Sequence, residues 1–176
     1  MIRYAAGMRT HSAFAAVAAA VTLGALLTAS ACSSEKAKPH ATRVSDAEAP
    51  ALLINRNWID RMPTSHADRL HVFRFVPTMG GGVYQDRTLF KGTFELFTFA
   101  ATGDEIRFSL PETRQKVRAS YTIDNVDGPA PFNLRLSIPD SPRGPTLYYS
   151  VRGESDRDGS LLESKLSALR TSEAAN

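Results

Sequence analysis

The chain has almost no cysteine and no large excess of charge of either sign. Cys32 is the single cysteine among 176 residues, which excludes a disulfide framework and a zinc site built on several thiolates. The 21 basic and 18 acidic residues leave a net charge of only +3. Arg3 and Arg9 lie within the first 31 residues, which contain no acid, so the remainder carries only +1. Bulk charge therefore gives no support for nucleic-acid binding.

The sequence also lacks a recognisable catalytic or metal-binding motif. Ser65, His66 and Asp68 are catalytic residue types, but a triad is defined by geometry, and close neighbours along a chain rarely face one another. The histidines fit no zinc spacing. The glycines at 80–82 are not followed by the Lys-Ser/Thr of a phosphate-binding loop. We therefore predict a protein that is not an enzyme and that holds no cofactor and no metal.

A long uncharged run lies near the N-terminus. Residues 1–12 carry basic side chains and no acid, residues 13–29 carry no charge, and small residues lead up to Cys32. This order of features is typical of a secretory signal peptide, here cleaved after Ala31. Because the run is about 17 residues long, near the lower bound for a membrane-spanning helix, an uncleaved anchor is the alternative.

The segment Leu27–Cys32 resembles the lipobox of bacterial lipoproteins. Three small residues precede the cysteine, although the strongest form of the motif has Leu at the position of Ala29. The resemblance implies that the Cys32 sulfur receives a diacylglycerol and that its new amino group is acylated, and several acyl chains give a stable membrane anchor. It also implies attachment to the bacterial cell envelope. The outer membrane is favoured over the inner because Ser33, not Asp, follows the cysteine.

Composition divides the rest of the chain. Residues 33–49 contain hardly any large apolar side chain and cannot bury enough surface to offset their ordering entropy, which predicts a flexible tether. We therefore predict a signal peptide at 1–31, a lipidated cysteine and tether at 32–49, a β-barrel domain at 50–153 and a C-terminal tail at 154–176. Leucines spaced by four and three residues predict a short helix in that tail, at Leu161–Arg170.

Alternating apolar and polar residues dominate the predicted β domain. Lys116–Ile123 shows this most clearly, because its apolar positions are 117, 119, 121 and 123, as in a strand with one buried and one solvated face. Lys91–Phe99 is apolar on both faces, which predicts cover on both. The eight predicted strands are Ala51–Trp58, Leu70–Val76, Val83–Leu89, Lys91–Phe99, Glu105–Leu110, Lys116–Ile123, Phe132–Ile138 and Thr146–Arg152.

Short strands joined by tight turns predict a mainly β fold, an antiparallel eight-stranded meander that closes into a small barrel. Closure would remove the sheet edges that invite aggregation. A β-sandwich is the alternative. One further short helix is predicted between Asp60 and Arg69, with Thr64 or Ser65 as its N-cap.

Three segments are similar to the small bacterial lipocalin-like domains of the calycin superfamily: Asn55–Trp58, His71–Phe75 and Phe94–Ile123. True lipocalins have Gly two residues before the Trp, where this chain has Arg56. They also have a late basic residue that stacks on the Trp, a role that Arg152 could take. The resemblance implies a lipocalin-like barrel that holds one small ligand.

Aromatic side chains supply the candidate ligand site. We predict that inward-facing rings line a pocket for a small hydrophobic ligand, which Tyr121 or Arg74 orients. The alternative is that the same rings fill a small core. The predicted site residues are Phe73, Arg74, Phe75, Phe94, Phe108, Tyr121, Phe132 and Tyr149.

Two functions follow from these predictions. The first is a membrane-anchored envelope lipoprotein whose lipocalin-like barrel binds a small hydrophobic ligand. The second is a non-catalytic interaction or inhibitor protein with a packed barrel. Such a protein would present the loops around Gly80–Gly82 and Ser141–Pro145 to an envelope protein partner. An open apolar interior favours the first function and a filled interior favours the second.

Overall fold

The computed structural model describes residues 40–152 and 160–174, which contain ten strands and two α-helices. The helices are α1 (Ala49–Leu53) and α2 (Ser160–Ala174), and Pro77–Met79 forms a 3-10 turn. The strands are β1 (Ala41–Arg43), β2 (Asn57–Ile59), β3 (Leu70–Val76), β4 (Gly81–Arg87), β5 (Gly92–Ala101), β6 (Glu105–Leu110), β7 (Gln115–Ser120), β8 (Thr122–Val126), β9 (Leu134–Ser137) and β10 (Leu147–Ser150).

These strands form one antiparallel sheet with the order β1-β8-β9-β10-β2-β3-β4-β5-β6-β7. Strands β2 to β7 follow one another as a first meander, and β8 to β10 form a second. The two meanders meet at β10 and β2, whose register contains one pair, Tyr149 opposite Ile59. The prediction of a mainly β, antiparallel fold is confirmed, with ten strands where eight were predicted.

The sheet curls into a half-barrel, and β1 and β7 are its edges. No ladder joins β7 to β1 within residues 40–152, so the predicted closure into a barrel is not observed. The edge strand β7 carries Lys116 and Arg118, and charges on an edge strand disfavour pairing with another chain.

The strand predicted at Lys116–Ile123 is two strands that meet at Tyr121. The Tyr121 amide donates to the carbonyl of Asp104 at 2.8 Å, and its hydroxyl donates to the carbonyl of Thr102 at 2.6 Å. These bonds hold Tyr121 beside the end of β6, and from Thr122 the chain pairs with β9 and β1 as β8. The apolar alternation continues through this corner because Ala119, Tyr121 and Ile123 all pack in one core.

The strand predicted at Ala51–Trp58 is wrong in its first half, where α1 lies. Pro50 fits the first turn of a helix, whose amides have no intrahelical acceptor. Leu53 is fully buried, and its carbonyl accepts the indole Nε1–H of Trp58 at 2.9 Å. Asn55 has a positive φ of 57°, which redirects the chain from α1 into β2.

The helix predicted between Asp60 and Arg69 is also wrong, because the segment is a series of turns. Thr64 or Ser65 was predicted as the N-cap, and the Ser65 Oγ does accept the Ala67 amide at 3.1 Å, although no helix follows. A second acceptor comes from Asp68. Its Oδ2 accepts the Thr64 amide at 2.7 Å and the Ser65 amide at 3.0 Å. The Asp68 carboxylate thereby provides a hydrogen-bond acceptor for both the Thr64 and the Ser65 amide.

The described part of the predicted tether is folded. Ala41–Arg43 pairs with β8 as strand β1, and Val44 is buried at 4% exposure. Ala49 opens α1 and is buried as well. For residues 40–49 the tether prediction is therefore wrong, since pairing with β8 gives this polar segment backbone partners that its composition does not reveal.

The sheet has a core on each face. The inner core lies within the curl and contains Trp58, Phe73, Phe108 and Tyr148 among its largest members. The outer core forms where α2 packs on the outward faces of β2 and β3, and it contains Ile59, Leu70, Val72, Leu89, Phe132, Leu162 and Leu166. The predicted C-terminal helix is therefore confirmed, and it packs against the sheet rather than fraying.

Candidate functional site

The interior of the half-barrel is filled by aromatic side chains. Five rings surround the ring of Phe73, with centroid distances between 4.9 and 6.0 Å. They belong to Phe75, Tyr84, Phe97, Phe108 and Tyr148. Such distances are those of rings in direct contact. Of the predicted site residues, Phe73, Phe75, Phe108 and Tyr121 lie together in this core, each no more than 2% exposed.

The other predicted site residues lie elsewhere. Phe132 and Tyr149 stack on each other at 5.7 Å in the outer core, beneath α2. Arg74 lies on the outward face of β3 and donates to the Asn57 side chain at 3.1 Å. Phe94 is 61% exposed, so its predicted inward position is wrong. The eight side chains therefore do not converge on one cavity. Cys32, the predicted lipidation site, lies outside the described residues.

The predicted stacking of Arg152 on Trp58 is also wrong. The guanidinium of Arg56 lies 5.9 Å from the centre of the Trp58 ring, and it donates to the carbonyl of Val151 at 3.1 Å. Arg152 instead bonds Asn125 and Glu48. Burial, with a further contribution from the nearby charge of Arg152, lowers the pKa of Arg56 from its usual value. Arg56 thus links the start of β2 to the end of β10.

One end of the inner core is closed by the loop between β9 and β10. Gly144 has a φ of +67°, and a Cβ there would lie 2.7 Å from the hydroxyl oxygens of both Tyr84 and Tyr148. Arg143 forms a two-point ion pair with Glu95, at 2.5 and 2.9 Å. The Tyr148 hydroxyl donates to the Arg143 carbonyl at 3.2 Å. The Ser141–Pro145 loop is therefore fixed to the sheet.

The tyrosines of the inner core remain protonated well above neutral pH. Burial is the main cause that raises the pKa of Tyr84 to about 12, and Asp86 adds to it. The hydroxyl of Tyr84 shares a hydrogen bond of 2.7 Å with Nδ1 of His71. Burial likewise raises the pKa of Tyr121 to about 12. These hydroxyls act as neutral hydrogen-bonding groups that hold the interior together.

The clearest candidate site lies on the outward side of β4 and β5. Register places Val83 opposite Leu96, so the two side chains share the face opposite to buried Phe97. Leu96 is 67% exposed and Met79, in the preceding turn, is 83% exposed. We call the four residues Met79, Val83, Phe94 and Leu96 the outer strip.

A shallow groove of about 260 Å³ runs beside the outer strip. Val76, Met79, Leu96 and Pro111 are among its apolar lining residues. Its floor is backbone, because Gly81 and Gly82 let the strand approach Phe97 closely, and a Cβ on Gly81 would lie 2.1 Å from the Phe97 carbonyl oxygen. The Gly80–Gly82 segment is thus part of a packed strand, not only a flexible turn.

The outward face next to the outer strip is basic. Arg107 lies opposite Arg118, and Lys116 opposite Ser109, on the outward faces of β6 and β7. Like charges opposite each other in a ladder are unfavourable. Glu105 offsets the charge of Arg107 through an ion pair of 2.6 Å. We call Arg107, Lys116 and Arg118 the basic face.

Sequence reasoning missed the outer strip, although a signal for it was present. The pattern of Lys91–Phe99 shows apolar residues on both faces, which predicted cover on both. Within the described part of the chain, the ion pair of Glu163 with Arg87, at 3.3 Å, joins α2 to β4. Phe94 and Leu96 lie beyond it. The prediction of cover on both faces is therefore wrong, because Phe94 and Leu96 on the outward face are exposed.

Residues 40–152 and 160–174 contain no group of three or more His, Cys, Asp or Glu side chains placed to hold a metal ion. Neither described helix combines the length and the apolar character that crossing a bilayer requires. The chain matches no protein-family model, no curated protein and no solved structure.

Proposed function

We propose that this protein is a membrane-anchored lipoprotein of the bacterial envelope, attached through Cys32, whose half-barrel is a non-catalytic interaction module. The observation that carries this proposal is the contrast between a filled interior and an exposed apolar outer strip. A small hydrophobic molecule inside the curl would have to displace rings that are already in contact with Phe73. An exposed apolar strip beside charged residues is instead typical of a surface that binds something outside the molecule.

The anchor rests on the lipobox-like segment before Cys32, and the outer membrane is the favoured location. Replacing Cys32 with Ser should release the protein from the membrane fraction, because no acyl chain can then be attached. Ser33→Ala is the matched control and should leave the protein with the membranes. If the Cys32→Ser protein stays in the membrane fraction, the acyl anchor is contradicted and an uncleaved apolar helix is favoured.

The interaction role can be tested in cells with a photoreactive amino acid at position 96. Leu96 is 67% exposed in the outer strip, whereas Leu147 is 41% exposed on β10 and serves as the control position. We expect a reproducible adduct from position 96 and none from position 147. Equal adduct formation from both positions would contradict a specific surface.

A second candidate function is binding of a small hydrophobic ligand in the groove beside the outer strip. The apolar lining of this groove, which has a volume of about 260 Å³, favours this function. Saturable binding of a fluorescent fatty-acid analogue, lost in Leu96→Asp and kept in Leu147→Asp, would support it. An unchanged fluorescence signal across a panel of lipids would exclude it.

A further inference from the structure

The outward face of β3 to β7 has an unequal distribution of charge. Its ionisable residues, taken from the strand registers, are Arg74, Arg87, Glu105, Arg107, Lys116 and Arg118. Glu105 is the one carboxylate that these strands place there. Neither Lys116 nor Arg118 forms an ion pair with a described residue, and both are exposed. The face is therefore suited to an anionic surface.

Acidic side chains of the same strands point the other way. Glu95 pairs with Arg143 at the closed end of the inner core. Asp86 forms a two-point ion pair with Arg69, at 2.5 and 2.6 Å. Because each of these two acids is paired with an arginine, neither offsets the positive charge of Lys116 and Arg118 on the outward face.

The apolar residues of this face protrude instead of forming a deep pocket. Met79, Phe94 and Leu96 are more than 60% exposed, and Met79 and Leu96 form part of the rim of the groove. Apolar side chains that project between basic ones are the arrangement by which peripheral proteins enter the boundary between lipid headgroups and acyl chains. Basic residues near an anionic bilayer add attraction that falls off within a Debye length.

The length of the chain before the fold adds a third argument. The described part of the fold begins at His40, eight residues after Cys32. Even fully extended, eight residues span at most about 28 Å. A domain on so short a connection is held at high effective concentration next to the bilayer. The membrane is therefore the surface that this face meets most often.

We propose that the outer strip and the basic face together dock the half-barrel onto an anionic lipid surface, the one to which Cys32 anchors the chain. This proposal rests on the lipid anchor of the proposed function. Phe94, Leu96 and Met79 enter the headgroup region, and Lys116 and Arg118 contact lipid phosphates. Docking through the outward face turns the inward face of the sheet away from the membrane. The Ser141–Pro145 loop, which is paired with Glu95 on that inward face, then faces the aqueous side.

The test uses the full-length acylated lipoprotein in vesicles, with Leu96→Cys carrying a polarity-sensitive dye. Cys32 is the single cysteine of the sequence, so once it is acylated the introduced cysteine is the one free thiol. In vesicles of phosphatidylcholine with phosphatidylglycerol we expect a blue shift of the dye emission, reversed by high salt. Phosphatidylcholine alone should give no shift. Leu147→Cys, on a strand four places away in the sheet, is the control and should give none in either vesicle.

Charge reversal measures the basic contribution. Each Lys or Arg near an anionic bilayer changes the membrane partition about fivefold, so Lys116→Glu with Arg118→Glu should lower the docked fraction relative to the undocked one by at least about 25-fold. Arg43→Glu, at an exposed position on β1, is the matched control and should change it little.

The outcomes separate the two proposals. If the protein does not float with vesicles, the Cys32 anchor fails and with it the proposed function. If it floats but the dye at position 96 responds no more than the dye at position 147, lipid docking is overturned. An adduct in cells between position 96 and a protein, with no lipid adduct, would also overturn lipid docking and assign the surface to a protein partner.

Discussion

Strand β5 has two phenylalanines three residues apart with opposite surroundings. Phe97 is 2% exposed and touches Phe73, Phe75 and Phe108 in the inner core, whereas Phe94 is 61% exposed on the outward face. The two residues have the same side chain and lie in the same strand, so neither residue type nor secondary structure explains the difference in exposure. The curl of the sheet brings inward faces together, and α2 covers only part of the outward side. Burial in this fold is thus decided by what lies opposite a side chain.

The largest effect should come from the inward member of this pair. Phe97→Ala removes a ring from a packed core, which should lower the free energy of unfolding by about 3–5 kcal/mol. Phe94→Ala should stay within about 0.5 kcal/mol of the parent, since its ring is mostly in water. Urea unfolding monitored by far-UV circular dichroism measures both. Equal losses would mean that the outward face is covered in solution.

The glycine beneath the Phe97 ring should give the next effect. A Cβ at Gly82 would lie 2.5 Å from that ring and 2.6 Å from the carbonyl oxygen of Arg74. The backbone at Arg74 cannot move aside as a flexible side chain can. Gly82→Val should therefore lower the free energy of unfolding by about 1–3 kcal/mol. Val83→Ala, on the adjacent outward position, is the control and should cost less. A neutral Gly82→Val would show that β3 and β4 separate easily.

Alkaline pH tests the inner core without mutation. Tyr84 and Tyr121 each have a folded pKa of about 12, raised from an ordinary value of 10.0. Their contribution to stability is therefore complete below pH 10 and is lost as the pH rises through 12. We expect the urea midpoint to fall over that interval, together with a rise in tyrosinate absorbance. Tyr84→Phe should make the fall shallower, and an unchanged slope would argue against burial of its hydroxyl.

The smallest effect should come from the ion pair at the edge of α2. Glu163 is about half exposed, so Glu163→Gln should change stability by no more than about 1 kcal/mol. Leu166→Ala, in the outer core beneath the same helix, should cost about 2–4 kcal/mol. If Glu163→Gln lowered the free energy of unfolding as much as Leu166→Ala, the ion pair and not the apolar contact would hold the helix.

The sequence predicts strands well where alternation and burial agree. Leu70–Val76 was predicted with the bounds that the structure gives to β3. Alternation failed at Tyr121, because the chain changes partner strands there while the apolar spacing continues unchanged. It also failed at Ala51–Trp58, where five helical residues are too few for a helical period to be recognised.

The candidate site was harder to predict than the fold. Periodicity assigns Phe94 and Phe97 to opposite faces, but it does not say which face the sheet curls around. Phe132 was predicted to face the same interior as Phe73, yet it lies under α2 in the other core. That outcome depends on where a helix thirty residues later packs, which no local pattern encodes.

The single register pair between β10 and β2 has a mechanical consequence. Each meander is held by many ladder pairs, whereas a single ladder pair joins the two. The other links between them include the Arg56 bond to Val151, the ion pair of Arg143 with Glu95 and packing in the inner core. The seam between β10 and β2 is therefore the ladder with the fewest register pairs in the sheet. It lies between a six-stranded unit and a smaller unit formed by β8 to β10 with β1. Partial opening would then begin along the seam, and the amides of the smaller unit would exchange with solvent together, before those of β3, β4 and β5.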